Sequence, residues 1–153
     1  MGRVGRVGQV GRVGGTGLAG AIFMSLPHEK LVAWQRADDL FIDLHRVANR
    51  SFPPQERFEL STQLRRAAYS VVANIVEGMA RRTPRDRMRF LHIAEASLAE
   101  AGYCLHAARR LGYLSDAEYD RLEQRMRMVG APLAGLRRSL RGRTEEDRSD
   151  EDG

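Results

Sequence analysis

The 153-residue chain has one cysteine, Cys104, and so cannot form an internal disulfide, which suits a reducing compartment such as the cytoplasm. It has five prolines, and only Pro84 and Pro132 follow Pro54, so long stretches are free to be helical. Val/Ile/Thr alternation of the kind that marks half-buried strands is nearly absent, which argues against a sheet. No run of eighteen apolar residues occurs, so no membrane-spanning helix and no membrane partner are expected. The first 27 residues contain no acid at all.

What is present divides the chain into three. Residues 1–27 carry three arginines and repeat glycine at every third position from Gly2 to Gly20. Without proline-rich filler this is not collagen, and the composition predicts a disordered Gly/Arg/Val tail, with Met24 as the expected start of translation. Residues 142–153 carry two arginines against six acids, a balance of −4, and read as a disordered acidic tail. Subtracting both ends from the total of +5 leaves +6 on residues 28–141. A basic body of that kind attracts nucleic acid or an acidic partner.

Within 28–141 the apolar residues recur in steps of three and four, the spacing of one helical face. Helix one is expected from Glu29–Ala33 to about Asn49, with Trp34, Ala37, Phe41, Leu44 and Ala48 inward. Pro53-Pro54 stops it. Helix two is expected from Gln55 to Met79, with Gly78 as a left-handed terminator. Thr83-Pro84-Arg85-Asp86 then reads as cap, first turn and dipole-compensating acid of helix three, which runs to Leu111. Gly112 ends it, Ser115 and Glu118 form a capping box, and helix four continues to about Arg141 with a kink predicted near Val129 from Pro132. Four amphipathic helices with short connections predict an all-α, antiparallel up-down-up-down bundle.

That topology places the turn between helices two and three beside the end of helix four. Arg81, Arg82, Arg85, Arg87 and Arg89 then share one pole with Arg137, Arg138 and Arg141. Of these, Arg81, Arg82, Arg85, Arg87, Arg137, Arg138 and Arg141 suit phosphate contacts to RNA or DNA, read by backbone and shape, since no base-reading motif is visible. The acidic tail leaves at the same pole, which suggests self-masking by fold-back.

The stretches L-V-A-W-Q-R-A (31–37), F-P-P-Q-E-R-F-E-L (52–60), Q-L-R-R-A-A-Y-S-V-V-A-N-I-V-E-G (63–78) and R-F-L-H-I-A-E-A-S-L-A-E (89–100) together resemble one family. It is the four-helix-bundle proteins encoded in intervening sequences of bacterial 23S ribosomal RNA, relatives of the accessory protein of diversity-generating retroelements. The resemblance implies a homopentameric ring, suspected nucleic-acid binding and no enzymatic activity. It marks Trp34, Arg66, Ser70, Asn74, Glu77, Gly78, Ser97 and Glu100 as structural or interface positions. The chain departs from the family pattern at Ala101-Gly102 and at Pro132.

Other chemistries find little support. No glutamate precedes a histidine by three, and His92 and His106 stand about four turns apart, so neither a metal nor another cofactor is expected. Ser70 has no base placed by sequence, Cys104 sits among apolar residues, and Trp34 and Tyr103 fall at core spacing rather than as base-stacking platforms. The alternative to nucleic-acid binding is a scaffold that docks an acidic protein or a nucleic-acid enzyme.

Overall fold

The computed structural model describes residues 27–151, with side chains placed for 28–143. The Gly/Arg/Val segment lies outside the described residues. A short 3-10 turn at Pro27–Lys30 leads into α1 (Val32–Arg50), and a second at Pro54–Phe58 leads into α2 (Leu60–Ala80). Helices α3 (Pro84–Arg110) and α4 (Asp116–Glu151) follow. The described residues are all helix and connection, with no strand. None of the helices is long and apolar enough to cross a membrane.

The bundle closes as a ring of neighbours: α1 packs on α2 and α4, and α3 packs on α2 and α4. Leu40, Leu44, Leu64, Ile75, Leu91, Leu105, Leu122 and Leu133 are fully buried at its centre. On α1 the innermost line is Ala33, Ala37, Leu40, Leu44, Val47 and Ala48. Trp34 and Phe41, expected in that line, are half-buried on its flanks, because the small alanines let α1 approach while the large rings fill the edges.

The α2–α3 contact is the most extensive in the bundle. Gly78 is one cause, though not as a terminator. It is buried inside α2, and the one positive-φ residue among those described is Gly112. A β-carbon at position 78 would lie 3.1 Å from Phe90 Cβ and 3.3 Å from the Arg87 carbonyl oxygen. Glycine is therefore there for close approach, and α2 runs on to Ala80.

Helix α2 also starts later than the apolar pattern predicts. Pro53-Pro54 forces extended backbone and then a 3-10 turn, and Glu59 leaves helical geometry at φ −112°, ψ −110°. The Glu56 carboxylate accepts from the Leu60 N–H (3.1 Å) and so caps the true first turn.

The expected boundaries of α3 are present. Thr83 Oγ1 accepts from the Asp86 N–H (3.1 Å), and Pro84 holds the first turn. Replacing Thr83 with alanine should cost about 1 kcal/mol of stability, read as a lowered urea midpoint with an unchanged slope. At the other end Gly112 (φ 79°) donates to the Arg109 carbonyl and Tyr113 to the Ala108 carbonyl, the paired bonds of a glycine C-terminus. Ser115 Oγ accepts from the Glu118 N–H, but the Glu118 carboxylate turns to Arg50 of α1 instead of completing the box.

Helix α4 continues through Pro132 and past Arg141 to Glu151. The segment read as an acidic tail is therefore helical backbone over 142–151, since Arg and Glu favour helix and Gly142 weakens it without ending it. That continuation carries the acidic residues onward along α4 rather than folding them back.

Candidate nucleic-acid interface

The arginine pole grows from the α2–α3 turn. Arg81 is extended and closes α2 by donating its N–H to the Gly78 carbonyl at 3.1 Å. Its guanidinium pairs with Glu77 one turn back and lies 4.7 Å from the centre of the Phe90 ring. Arg87 Nε donates to the Arg81 carbonyl at 2.8 Å. These two arginines brace the turn. Arg82, Arg85 and Arg89 are exposed and have no side-chain partner among the described residues.

Helix α4 contributes the opposite wall. Arg137 is half-buried; its Nε lies 3.1 Å from Glu95 Oε1, near enough for ionic attraction but angled off a hydrogen bond, and its Nη1 is 3.1 Å from His92 Nε2. Arg137, Arg138 and Arg141 line a recess of about 190 Å³ with Met88 and His92 of α3. Arg138 and Arg141 are exposed, without a partner among the described residues.

Of the seven arginines singled out from sequence, Arg81, Arg87 and Arg137 are therefore anchored within the fold. Arg82, Arg85, Arg138 and Arg141 point outward as uncommitted cations, and guanidinium forks suit phosphate oxygens. His92 and Met88 were not singled out as contributors; both lie near the start of α3, and their approach to α4 depends on packing.

The family-motif residues make a different feature. Ser70 Oγ meets Ser97 Oγ at 2.8 Å, and Asn74 Nδ2 donates to the Ser70 carbonyl (2.8 Å) and Oγ (3.0 Å). This polar ladder crosses from α2 to α3. Asn74 and Glu77, one turn apart, do not pair with each other, since Glu77 is held by Arg81. Arg66 and Glu100 are exposed on the outer sides of α2 and α3. Trp34 packs its half-buried ring against His28 at 5.0 Å. Tyr103, expected in the core, is 70% exposed and lies beside His106, because the buried line of α3 passes through Ala101, Cys104 and Leu105.

Cys104 is buried, and desolvation, with Glu100 adding, pushes its thiol above the ordinary range. This protonated thiol is a poor nucleophile. No group of three or more His, Cys, Asp or Glu among the described residues is placed to hold a metal ion.

A family model described as 23S rRNA-intervening sequence protein matches residues 29–135. Among solved structures, a protein of unknown function from the S23 ribosomal protein family of Bacteroides thetaiotaomicron is similar, with a TM-score of 0.65 and 21% identity. The likeness covers 69% of this chain and 98% of that one, and at this identity it speaks to the fold alone. No curated protein matches the sequence.

Proposed function

Because the chain belongs to the 23S rRNA-intervening sequence protein family, we propose that it is a non-enzymatic, cytoplasmic, oligomeric protein that binds RNA or DNA through its arginine pole. The observation that carries this reading is a recess lined by Arg137, Arg138 and Arg141 of α4 with Met88 and His92 of α3 and no carboxylate, together with exposed Arg82 and Arg85 at and just before the start of the same helix α3. Four outward guanidiniums at one end supply phosphate contacts, and a ring of copies multiplies them.

The up-down-up-down arrangement belongs to the same proposal. It is supported by contacts whose numbering rises on one helix as it falls on the next: Arg50 with Glu118 and Asp43 with Arg125 between α1 and α4, Ser70 with Ser97 and Gly78 with Phe90 between α2 and α3. The resemblance adds the homopentamer. Ile93 and Tyr103 leave apolar surface exposed on α3, where a second copy can pack.

Fluorescence anisotropy with labelled structured RNA and duplex DNA across a salt series tests the reading. The full chain should bind at micromolar concentration or tighter, with a steep salt slope. Replacing Arg82, Arg85, Arg138 and Arg141 together by glutamine should weaken binding about a hundredfold at 0.1 M salt and reduce the log–log slope by roughly three to four. Equal binding by the variant rejects the pole as the site. Absence of binding by the wild type at low salt turns the search to an acidic protein partner.

A further inference from the structure

A second basic recess lies at the other end of α2, which at 21 residues is roughly 30 Å long. It has a volume of about 350 Å³ and is lined by Asn49 at the end of α1, by Phe52, Pro53 and Pro54, and by Arg57 and Arg65. Its lining contains two guanidiniums and no carboxylate.

The local fold keeps it that way. Glu56 is next in sequence to Arg57, yet its carboxylate accepts from the Tyr113 hydroxyl (2.8 Å) on one oxygen and from the Leu60 N–H on the other. The tyrosine bond is strong enough to hold the Tyr113 phenol above its ordinary pKa. The Glu56 carboxylate is thereby held against the bundle and stays out of the lining of the recess. Arg57 is exposed and lies 5.5 Å from the Phe58 ring centre. Arg65 is oriented by its bond to Asn49 Oδ1, a neutral partner, and its buried Nε has no acceptor among the described residues.

Two guanidiniums lining one concavity with no carboxylate in that lining favour an anion, and the number of charges selects its kind. A carboxylate brings one negative charge, whereas a phosphate monoester brings about one and a half to two at neutral pH, with three acceptor oxygens. The volume leaves room for an organic group beside the phosphate, and Phe52, Pro53 and Pro54 offer it an apolar wall. We infer that this recess binds a phosphate monoester, with the phosphate between Arg57 and Arg65 and the attached group against Phe52, Pro53 and Pro54. The site stands apart from the arginine pole and does not depend on it.

Isothermal titration of the full chain with adenosine 5′-monophosphate and with adenosine, at constant ionic strength, tests this. The nucleotide should bind saturably and adenosine should not. R65Q should weaken nucleotide binding about tenfold or more, the loss of a charge-assisted contact. R57Q, at an exposed position, should do the same without affecting the fold, and R36Q, at an exposed arginine in neither recess, should leave the affinity unchanged. No saturable nucleotide binding, equal binding of adenosine, or full affinity in R57Q overturns the inference. A 5′-phosphorylated against a 5′-hydroxyl oligonucleotide, each titrated into the variant lacking the four pole arginines, separates the sources. Preference for the phosphorylated end assigns the site to nucleic-acid termini, and no preference, with the nucleotide bound, assigns it to free nucleotides.

Discussion

Replacing Leu91 with alanine should remove about 3 to 4 kcal/mol of stability, a large share of the total for a domain of this size. Leu91 is fully buried on α3, and truncation deletes three carbons, each worth about 0.8 kcal/mol of transfer free energy. The remainder is the cavity term, and here the walls cannot close in to reduce it. Helices α2 and α3 already meet at their limit nearby, where Gly78 faces Phe90 and the Arg87 carbonyl. A urea titration should show the midpoint falling with an unchanged slope, and thermal melting should drop by about 10 °C. A loss below 1 kcal/mol would mean that the bundle collapses around the gap and that the α2–α3 contact is softer than its geometry implies.

Gly78→Val should be comparably damaging, by about 2 to 3 kcal/mol, for the opposite reason. The first added carbon already lies 3.1 Å from Phe90 Cβ and 3.3 Å from a backbone oxygen, so neither neighbour can swing away as a side-chain tip would. The helix-propensity gain over glycine, at most about 1 kcal/mol, does not offset that clash. Leu91 Cδ2 lies 3.8 Å from the same carbon, which couples the two positions. In a double-mutant cycle Gly78→Val should cost less in the Leu91→Ala background, with only partial relief because Phe90 and the carbonyl remain. Strict additivity would show that the two side chains do not share space.

How much of this was readable in the sequence depends on how local the physics is. Thr83-Pro84-Asp86 and Gly112-Ser115 gave the ends of α3 and the start of α4 correctly, because caps act within one turn. The start of α2 was placed too early, at Gln55, because nothing after Pro54 marks the 3-10 turn that comes before Leu60. Phe58 is in fact 82% exposed on the turn, and the Glu56 cap depends on a carboxylate reaching across it. Gly78 reads equally well as a terminator or as a point of close approach, and only the neighbouring helix decides. The acidic end of α4 shows that polarity alone does not distinguish a helix from a tail.

The candidate site divides along the same line. Chain order alone led to the expectation that Arg81–Arg89 share a pole with Arg137–Arg141, and Met88 and His92 of α3 do line a recess with Arg137, Arg138 and Arg141. Which arginines remain available to a ligand was not legible. The choice is made by Glu95 and His92 on α3, which hold Arg137, and by the Arg81 carbonyl, which holds Arg87. The Arg57–Arg65 recess was invisible for the same reason, since it needs the Tyr113 hydroxyl, 57 residues from Glu56, to draw the acid away.

The bond between Asp43 and Arg125 that joins α1 to α4 also has a kinetic meaning. It links residues 82 apart, whereas Ser70 and Ser97 are 27 apart. Closing the longer loop from an open chain costs about 1 kcal/mol more in entropy. The α2–α3 hairpin, with its short Thr83-Pro84 connection, is thus cheaper to assemble than the α1–α4 contact. The α1–α4 contact, which brings together the two ends of the bundle, is therefore the one expected to form last.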